Sequence, residues 1–113
     1  MGIYFQNASG TVTESAVLNE VLPAGFTGCQ SGEGIYIESG SGGISTVNVN
    51  NSTVENYHKN GITGNSAGTT LTATNNPVVG QGSTSGAAEN GIQIGFGATG
   101  TITSNTITDD IWS

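Results

Sequence analysis

The dipeptide Gly-Ile occurs four times along this chain, and the spacing of its copies constrains the fold more than any other feature. The copies begin at Gly2, Gly34, Gly61 and Gly91, with gaps of 32, 27 and 30 residues. Each copy opens a short run such as Ile35-Tyr36-Ile37, in which alternate side chains would face one side of a β-strand. Self-similarity at a period of about 20–50 residues indicates a solenoid, in which each repeat forms one coil.

A second pattern recurs within each repeat: apolar, polar, polar, Ser or Asn, small, then Val or Ile. Its copies start at Val12, Val49, Ala73 and Ile102. The pattern predicts a tight turn between two short strands, because a Ser or Asn side chain can bond backbone groups that a bend leaves unpaired. The Ser or Asn position is occupied by Ser15, Ser52, Asn76 and Asn105.

The composition supports a stacked β-structure. Glycine accounts for 19 of the 113 residues, and only 8% of the residues are charged. No segment places apolar residues at helical spacing over several turns, and the regular Ile and Val recurrence distinguishes the chain from a disordered polar one. We therefore predict an all-β, single-stranded solenoid that forms one domain over residues 1–113. We expect three coils and a partial fourth, without full end caps.

The repeat resembles the coil of a known family. Gly-Ile-x-Ile followed by a run such as Thr101–Ile107 is similar to the repeat of right-handed parallel β-helix proteins, the pectate-lyase-like superfamily, and most similar to uncharacterised bacterial members. The resemblance covers essentially the whole chain, and Asn90–Gly100 also carries it. It implies a right-handed parallel β-helix and a ladder at an inward turn. That ladder would consist of Ser15, Ser52, Asn76 and Asn105.

The same resemblance implies a secreted, extracellular bacterial parent. The chain starts at Met1-Gly2 without a signal-peptide pattern. We therefore expect a mature domain or a fragment of a longer β-helix.

Alternation within the strands predicts which side chains face outwards and could meet a ligand. In the Gly-Ile strands the isoleucines and Phe5 face the core. The inward residues of the other two strands are Val12, Val49, Ala73, Ile102, Val17, Val54, Val78 and Ile107. The first strand then presents two outward rows. These rows contain the candidate ligand-binding residues Tyr4, Tyr36, Thr63 and Gln93, and, beside them, Glu38 and Asn65.

The repeats differ in length at two places. Insertions in a solenoid fall in loops, often near the binding face. We expect such loops at Leu22–Gly32 and Gly80–Gly86.

The charge balance excludes several partners. The chain contains eight Asp and Glu residues but only one Lys and no Arg, which gives a net charge of −7. Nucleic acid is disfavoured because phosphate binding requires clustered Lys and Arg. A membrane partner is also disfavoured, because the acidic chain would be repelled by an anionic surface and no apolar run is long enough to span a bilayer. Acidic polysaccharides are disfavoured on the same charge argument.

No catalytic, metal or cofactor set is apparent. One His, His58, and one Cys, Cys29, fall short of the four ligands of a structural zinc site, and we expect His58 at a surface turn. Gly95–Gly100 matches the dinucleotide fingerprint letter for letter, but a strand pattern follows where a helix is required. Pectate lyases use a basic residue and acidic calcium ligands. Lys59 is the one basic side chain here, and Asp109-Asp110 only faintly resembles the paired aspartates of polygalacturonases.

Three functional hypotheses remain. The first is a non-catalytic module, structural or carbohydrate-binding, that associates end to end with another copy or with flanking coils of a parent through its open ends. The second is part of a polysaccharide-degrading lyase or glycoside hydrolase. The third is ice binding through an array of Thr-x-Thr pairs on the second strand, at Thr11/Thr13, Thr72/Thr74 and Thr101/Thr103.

Overall fold

The structure, a computed structural model, describes residues 1–26 and 28–113 and consists of four stacked coils of three short strands each. Coil 1 contains β1 (Ile3–Gln6), β2 (Gly10–Thr13) and β3 (Ala16–Leu18), and coil 2 contains β4 (Glu33–Glu38), β5 (Ser45–Asn50) and β6 (Thr53–Glu55). Coil 3 contains β7 (Asn60–Asn65), β8 (Thr69–Thr74) and β9 (Pro77–Thr84), and coil 4 contains β10 (Asn90–Gly95), β11 (Thr99–Thr103) and β12 (Thr106–Trp112). The predicted β-solenoid is confirmed, and its fourth coil is complete in strands rather than partial.

Corresponding strands of the four coils form three parallel sheets. Sheet A has the order β1-β4-β7-β10, sheet B the order β2-β5-β8-β11 and sheet C the order β3-β6-β9-β12. The register follows the repeat: Ile3 pairs with Ile35, and Ile35 with Ile62. Because each strand pairs with its equivalent in the next coil, residues at one repeat position form a column along the stack.

The core is the column of inward side chains enclosed by the three sheets. Its fully buried members in the two middle coils have 0–1% of their surface exposed. They are Ile35, Ile37, Val47, Val49, Val54, Tyr57, Ile62, Leu71, Ala73 and Val78. Val47, Leu71 and Tyr57 were not in the inward set that alternation predicted. Ile102 and Ile107 were in that set, but they are exposed because none of the described coils packs on the outer side of coil 4.

The corners between sheets B and C are two-residue turns that use the left-handed backbone conformation. The first residue of each turn has a φ between 48° and 56°, a region that favours Gly and tolerates Asn. These residues are Glu14, Asn51, Asn75 and Ser104. The second residue of each turn is the repeated Ser or Asn, whose side chain bonds the backbone of neighbouring coils.

The repeated glycines before each isoleucine are required by close packing. Gly34 and Gly61 do not have a positive φ, but a Cβ at Gly61 would lie 2.5 Å from Val78 Cγ1 and 2.6 Å from the Gly91 carbonyl oxygen. A Cβ at Gly34 would likewise lie 2.4 Å from Val54 Cγ1. Only Gly allows the sheet C valines to reach the corner where sheet A begins.

Two local predictions are wrong. Most of the predicted loop Gly80–Gly86 is strand, because β9 continues to Thr84 and pairs with the long β12 across a β-bulge between Thr108 and Asp110. His58 is buried rather than at the surface, with its backbone N–H donating to the carbonyl oxygens of Glu20 and Gly32. Residues 19–32 connect β3 to β4 as predicted, and Thr27 within them lies outside the described residues.

Candidate functional site

The outer face of sheet A carries the predicted rows of ligand-binding candidates. One row runs Tyr4, Tyr36, Thr63, Gln93, and its neighbour runs Gln6, Glu38, Asn65, Gly95. These residues point away from the core because the alternate residues of the same strands enter it. Thr63 is nevertheless buried, with 2% of its surface exposed, and accepts a hydrogen bond from Asn60 Nδ2. The six candidate side chains therefore share one face but divide into two groups along the stack.

The first group lies on coils 1 and 2 and is centred on Glu38. Its carboxylate Oε1 accepts a hydrogen bond from the Tyr4 hydroxyl and another from Gln6 Nε2 at 3.2 Å. The rings of Tyr4 and Tyr36 lie 5.9 Å apart between centroids and are tilted by 41°. This group is a preassembled aromatic pair next to a carboxylate.

The pKa values of both tyrosines are raised, for different main reasons. The hydrogen bond between Glu38 and the Tyr4 hydroxyl, with smaller effects of burial and charge, raises the pKa of Tyr4 to about 12. Burial is the main cause that raises the pKa of Tyr36, and the charges of Glu38 and Glu33 act in the same direction. Both hydroxyls are therefore neutral at physiological pH and can act as donors.

The second group lines a cleft of about 470 Å³ on coils 2 to 4. Four of the predicted candidates contribute to it: Tyr36, Thr63, Asn65 and Gln93. Tyr4 and Glu38 do not line the cleft and lie beside it. The remaining lining residues, which sequence reasoning did not select, are Gln30, Glu33, Lys59, Asn60, Asn90 and Phe96.

A column of amides forms one wall of the cleft. Asn90 Nδ2 donates to Asn60 Oδ1 at 2.9 Å, and Asn60 Nδ2 donates to Thr63 Oγ1 at 2.9 Å. Asn90 Nδ2 also lies 3.5 Å from Gln93 Oε1. These contacts orient the amides, because each amide is hydrogen-bonded either to the equivalent residue of a neighbouring coil or to a side chain three residues further along its own strand.

Two features of the sequence could have identified these residues. Glu33, Asn60 and Asn90 occupy the position just before each repeated glycine, and they pair in register across the coils. Phe96 lies between two glycines in a turn, has a φ of 55° and is 81% exposed. A bulky aromatic residue in a left-handed turn is uncommon, and its exposure places a second aromatic ring at the cleft.

Two potentially reactive side chains, Lys59 in the cleft lining and Cys29 next to Gln30 in sequence, differ in their surroundings. Lys59 Nζ donates to the Ala88 carbonyl oxygen at 2.6 Å, so it is engaged rather than freely solvated. Cys29 is an exposed free thiol in the connection between β3 and β4. In the part of the chain that the structure describes, no group of three or more His, Cys, Asp and Glu side chains is arranged to hold a metal ion.

The four ladder residues stack at the corner between sheets B and C. The N–H of Ser15 donates to Ser52 Oγ, that of Ser52 to Asn76 Oδ1, and that of Asn76 to Asn105 Oδ1, at 3.2, 3.0 and 2.9 Å. Asn76 Nδ2 also donates to the Val49 carbonyl oxygen at 2.9 Å. The ladder satisfies backbone groups that each bend would otherwise bury unpaired.

A second polar cluster lies under coil 4. The Tyr57 hydroxyl donates to Asp110 Oδ1 at 2.7 Å, and Glu89 Oε2 accepts the Gln81 N–H at 3.1 Å. Glu89 Oε1 is buried and has no hydrogen-bond partner among the described atoms. Burial is the main cause that raises the pKa of Glu89, and Asp110 adds to it.

Comparison of this chain with protein-family models, with curated proteins and with solved structures gives no match. Among the described residues there is no helix long and apolar enough to cross a membrane.

Proposed function

We propose that this chain is a non-catalytic, carbohydrate-binding β-helix module of an extracellular bacterial protein, and that it binds a neutral oligosaccharide in the sheet A cleft. One observation carries the proposal: a single cleft combines the half-buried ring of Tyr36 with the amides of Asn60, Asn65, Asn90 and Gln93. Its volume is in the usual range of ligand sites.

The chemistry of the lining suits a sugar. Each amide offers both a donor and an acceptor, which matches the hydroxyl groups around a pyranose ring. The electron-rich faces of Tyr36 and Phe96 can receive the C–H groups on the apolar face of such a ring. Apolar surfaces and oriented amides together distinguish a sugar from a purely apolar ligand.

The charges favour a neutral ligand. Glu33 and Lys59 both line the cleft, so the cleft itself carries opposed charges. The whole chain has a net charge of −7, which repels acidic polysaccharides such as polyuronates. A neutral glycan avoids this repulsion.

The spacing of carboxylates favours binding over hydrolysis. Glycosidases hold two carboxyl groups about 5–10 Å apart. Glu33 and Glu38 are five residues apart on the same strand, which separates their backbone positions by about 16 Å. Glu38 also accepts hydrogen bonds from Tyr4 and Gln6 and is not part of the cleft lining.

A glycan array of neutral polysaccharides and oligosaccharides tests the proposal. Wild-type protein should bind a subset of neutral glycans, and Tyr36→Ala should weaken that binding by tenfold or more, a loss of about 1.4 kcal/mol. Thr101→Ala, on the outer face of sheet B, is the matched control and should bind as wild type does. The proposal fails if no neutral glycan binds, or if Tyr36→Ala binds as tightly as Thr101→Ala.

Ice binding through sheet B is a second candidate, favoured by the regularity of its outer face. A third column, Thr46/Thr70/Thr99, lies beside the two predicted from sequence. The hydroxyls of Thr70 and Thr99 lie 3.4 Å apart, and those of Thr74 and Thr103 lie 3.3 Å apart. The array repeats about every 4.8 Å across coils and about every 6.7 Å along each strand. Asn48 and Asn50 interrupt it in coil 2.

Thermal hysteresis measurements distinguish this candidate. An ice-binding face should give measurable hysteresis that Thr101→Tyr removes, because one bulky ring disrupts a flat array. Thr106→Tyr on sheet C is the control and should leave the hysteresis unchanged. A freezing point equal to the melting point in wild-type protein would eliminate this function without affecting the carbohydrate proposal.

A further inference from the structure

The two ends of the stack differ in how well they cover the core. In coil 4, Ile102 and Ile107 are 44% and 45% exposed, whereas the equivalent Val12 and Val17 of coil 1 are 6% and 7% exposed. The same columns are buried completely in coils 2 and 3. Coil 4 therefore ends in an apolar surface of the kind that the next coil covers elsewhere in the molecule.

The ladder gives the stack a direction. At each step the backbone N–H of one coil donates to the side-chain oxygen of the following coil, from Ser15 through Asn76 to Asn105. By the same geometry the Asn105 N–H points beyond coil 4. At the opposite end, the Ser15 hydroxyl donates to the Thr13 carbonyl oxygen, which leaves its lone pairs directed away from coil 2.

The turns after the strands have the same polarity. The N–H groups of Asn7, Asn51 and Asn75 donate to carbonyl oxygens of the following coil, those of Glu38, Thr74 and Thr103. The coil 4 end thus presents donors at positions where the coil 1 end presents acceptors. A head-to-tail contact therefore pairs these donors with the kind of acceptor that they meet inside the molecule.

We propose that coil 4 of one molecule docks on coil 1 of a second copy and continues the parallel β-helix across the junction. In this arrangement Ile102 packs on the copy's Val12, Ile107 packs on its Val17, and the Asn105 N–H donates to its Ser15 Oγ. The register is the one that already relates neighbouring coils inside the molecule. This inference is independent of the proposed sugar site, which lies on the side of the stack.

The size and charge of the end face are compatible with a reversible contact. Four coils span about 14 Å along the stack, so the 18 Å extent of the molecule lies in that direction and the end face measures 36 by 28 Å. A face of that size can bury on the order of 1,000 Å² over both partners, the lower limit for a specific interface.

The heterologous contact leaves both outer ends open, so longer stacks follow. Because each copy has a net charge of −7, association should strengthen with salt.

Two end-blocked variants test both the contact and its direction by sedimentation velocity. Ile107→Arg blocks the coil 4 end, and Ile3→Lys places a charge at the partly exposed coil 1 end. Wild type should form dimers and longer species as concentration and salt rise, and each variant alone should remain monomeric. An equimolar mixture of the two should give a dimer and nothing larger, since the junction uses the one functional end of each variant and both remaining ends are blocked.

Disulfide trapping gives a second measurement that does not disturb the core. In a Cys29→Ser background, Thr11→Cys and Thr101→Cys introduce thiols at exposed positions of one sheet B column. Head-to-tail docking places them in neighbouring coils, about 5 Å apart, within disulfide range. Mild oxidation of the mixture should give the Thr11→Cys/Thr101→Cys heterodimer.

Three results would overturn the proposal: a wild-type monomer at all concentrations, dimers of Ile3→Lys alone, or Thr101→Cys homodimers in place of the heterodimer. The second and third would show coil 4 ends meeting each other.

Discussion

The Tyr57 hydroxyl donates to Asp110 Oδ1 at 2.7 Å, across 53 residues of sequence, and joins the end of coil 2 to the last strand of coil 4. Tyr57 is fully buried, and burial together with Asp110 raises its pKa well above the ordinary value of a tyrosine. Glu89 lies beside this pair: a Cβ at Gly80 would lie 2.4 Å from Glu89 Oε2 and 2.7 Å from Asp110 Oδ1. Two carboxyl groups therefore share a partly buried site under coil 4.

The shared site predicts that Glu89 makes folding less favourable as pH rises. Its pKa in the folded state is raised, so between the ordinary glutamate pKa and the raised value the folded state binds more protons than the unfolded state. Stability therefore falls as pH rises through that window. Glu89→Gln removes the titrating group and should flatten this fall, so that the variant is more stable than wild type at neutral pH.

Urea unfolding of wild type and Glu89→Gln across the acid-to-neutral range measures this difference. Glu14→Gln is the matched control, since Glu14 lies at an exposed corner. Parallel pH profiles for wild type and Glu89→Gln would show that Glu89 ionises normally in the folded protein.

The Asn76 ladder should contribute strongly to stability. Asn76 is buried, accepts the Ser52 N–H, and donates to the Val49 carbonyl and Asn105 Oδ1. Asn76→Ala leaves the two buried backbone groups unpaired, so the free energy of unfolding should drop by about 2–3 kcal/mol. Asn48→Ala, on the exposed face of sheet B, should change it by less than about 0.5 kcal/mol. A Cm for Asn76→Ala equal to that of Asn48→Ala would refute the role of the ladder.

Gly61 should not tolerate a methyl group. Its Cβ would meet Val78 Cγ1 at 2.5 Å and the Gly91 carbonyl oxygen at 2.6 Å, so Gly61→Ala must shift both the core and the next coil. We expect a loss of about 1–3 kcal/mol or more in the free energy of unfolding, measured by denaturant titration. Gly28→Ala is the control, because nothing lies within 4 Å of its Cβ position. Equal stabilities for the two variants would show that the Gly-Ile repeat does not depend on this contact.

Tyr4, whose hydroxyl donates to Glu38, should lose its proton at a higher pH than an ordinary tyrosine. NMR of labelled tyrosine ring carbons should give Tyr4 a pKa of about 12, because the Glu38 carboxylate accepts a hydrogen bond from the protonated hydroxyl. Glu38→Gln should lower that pKa towards 10. Since the folded state holds this proton more tightly than the unfolded state, stability that depends on it is present below pH 10 and is lost as pH rises towards 12. An ordinary pKa for Tyr4 in wild type would contradict the hydrogen bond.

The periodic residues predicted the coil well because each one meets the same structural requirement in every coil. Ile35 and Ile62 occupy equivalent core positions, and the corner residues Ser52 and Asn76 bond equivalent backbone groups. Aligning the repeats of this one sequence with each other is therefore enough to locate them. The repeated glycine marks each coil in the sequence, and the structure shows that it makes room for a valine from another sheet. That contact joins residues such as Gly34 and Val54 across a corner, and periodicity alone does not reveal it.

The candidate site was predicted in part for the same reason. Tyr36, Thr63 and Gln93 follow strand alternation, which fixes the direction of a side chain. Phe96 reaches the cleft through a left-handed turn, and Glu33 and Asn60 precede the glycine corner, where simple alternation no longer gives the direction. The burial of His58 depends on the connection from Glu20 to Gly32 packing against it, which is a contact between distant segments of the chain.

The most direct test of the carbohydrate-binding proposal is a backbone-amide NMR titration of the intact protein with soluble neutral oligosaccharides, such as xylan and β-glucan fragments. We predict saturable shift changes for Tyr36, Thr63, Asn65 and Gln93, with Thr11 and Thr101 on sheet B unaffected. The absence of saturable shifts with any neutral oligosaccharide, or shifts confined to sheet B or to the ends of the stack, would contradict a sugar site on sheet A.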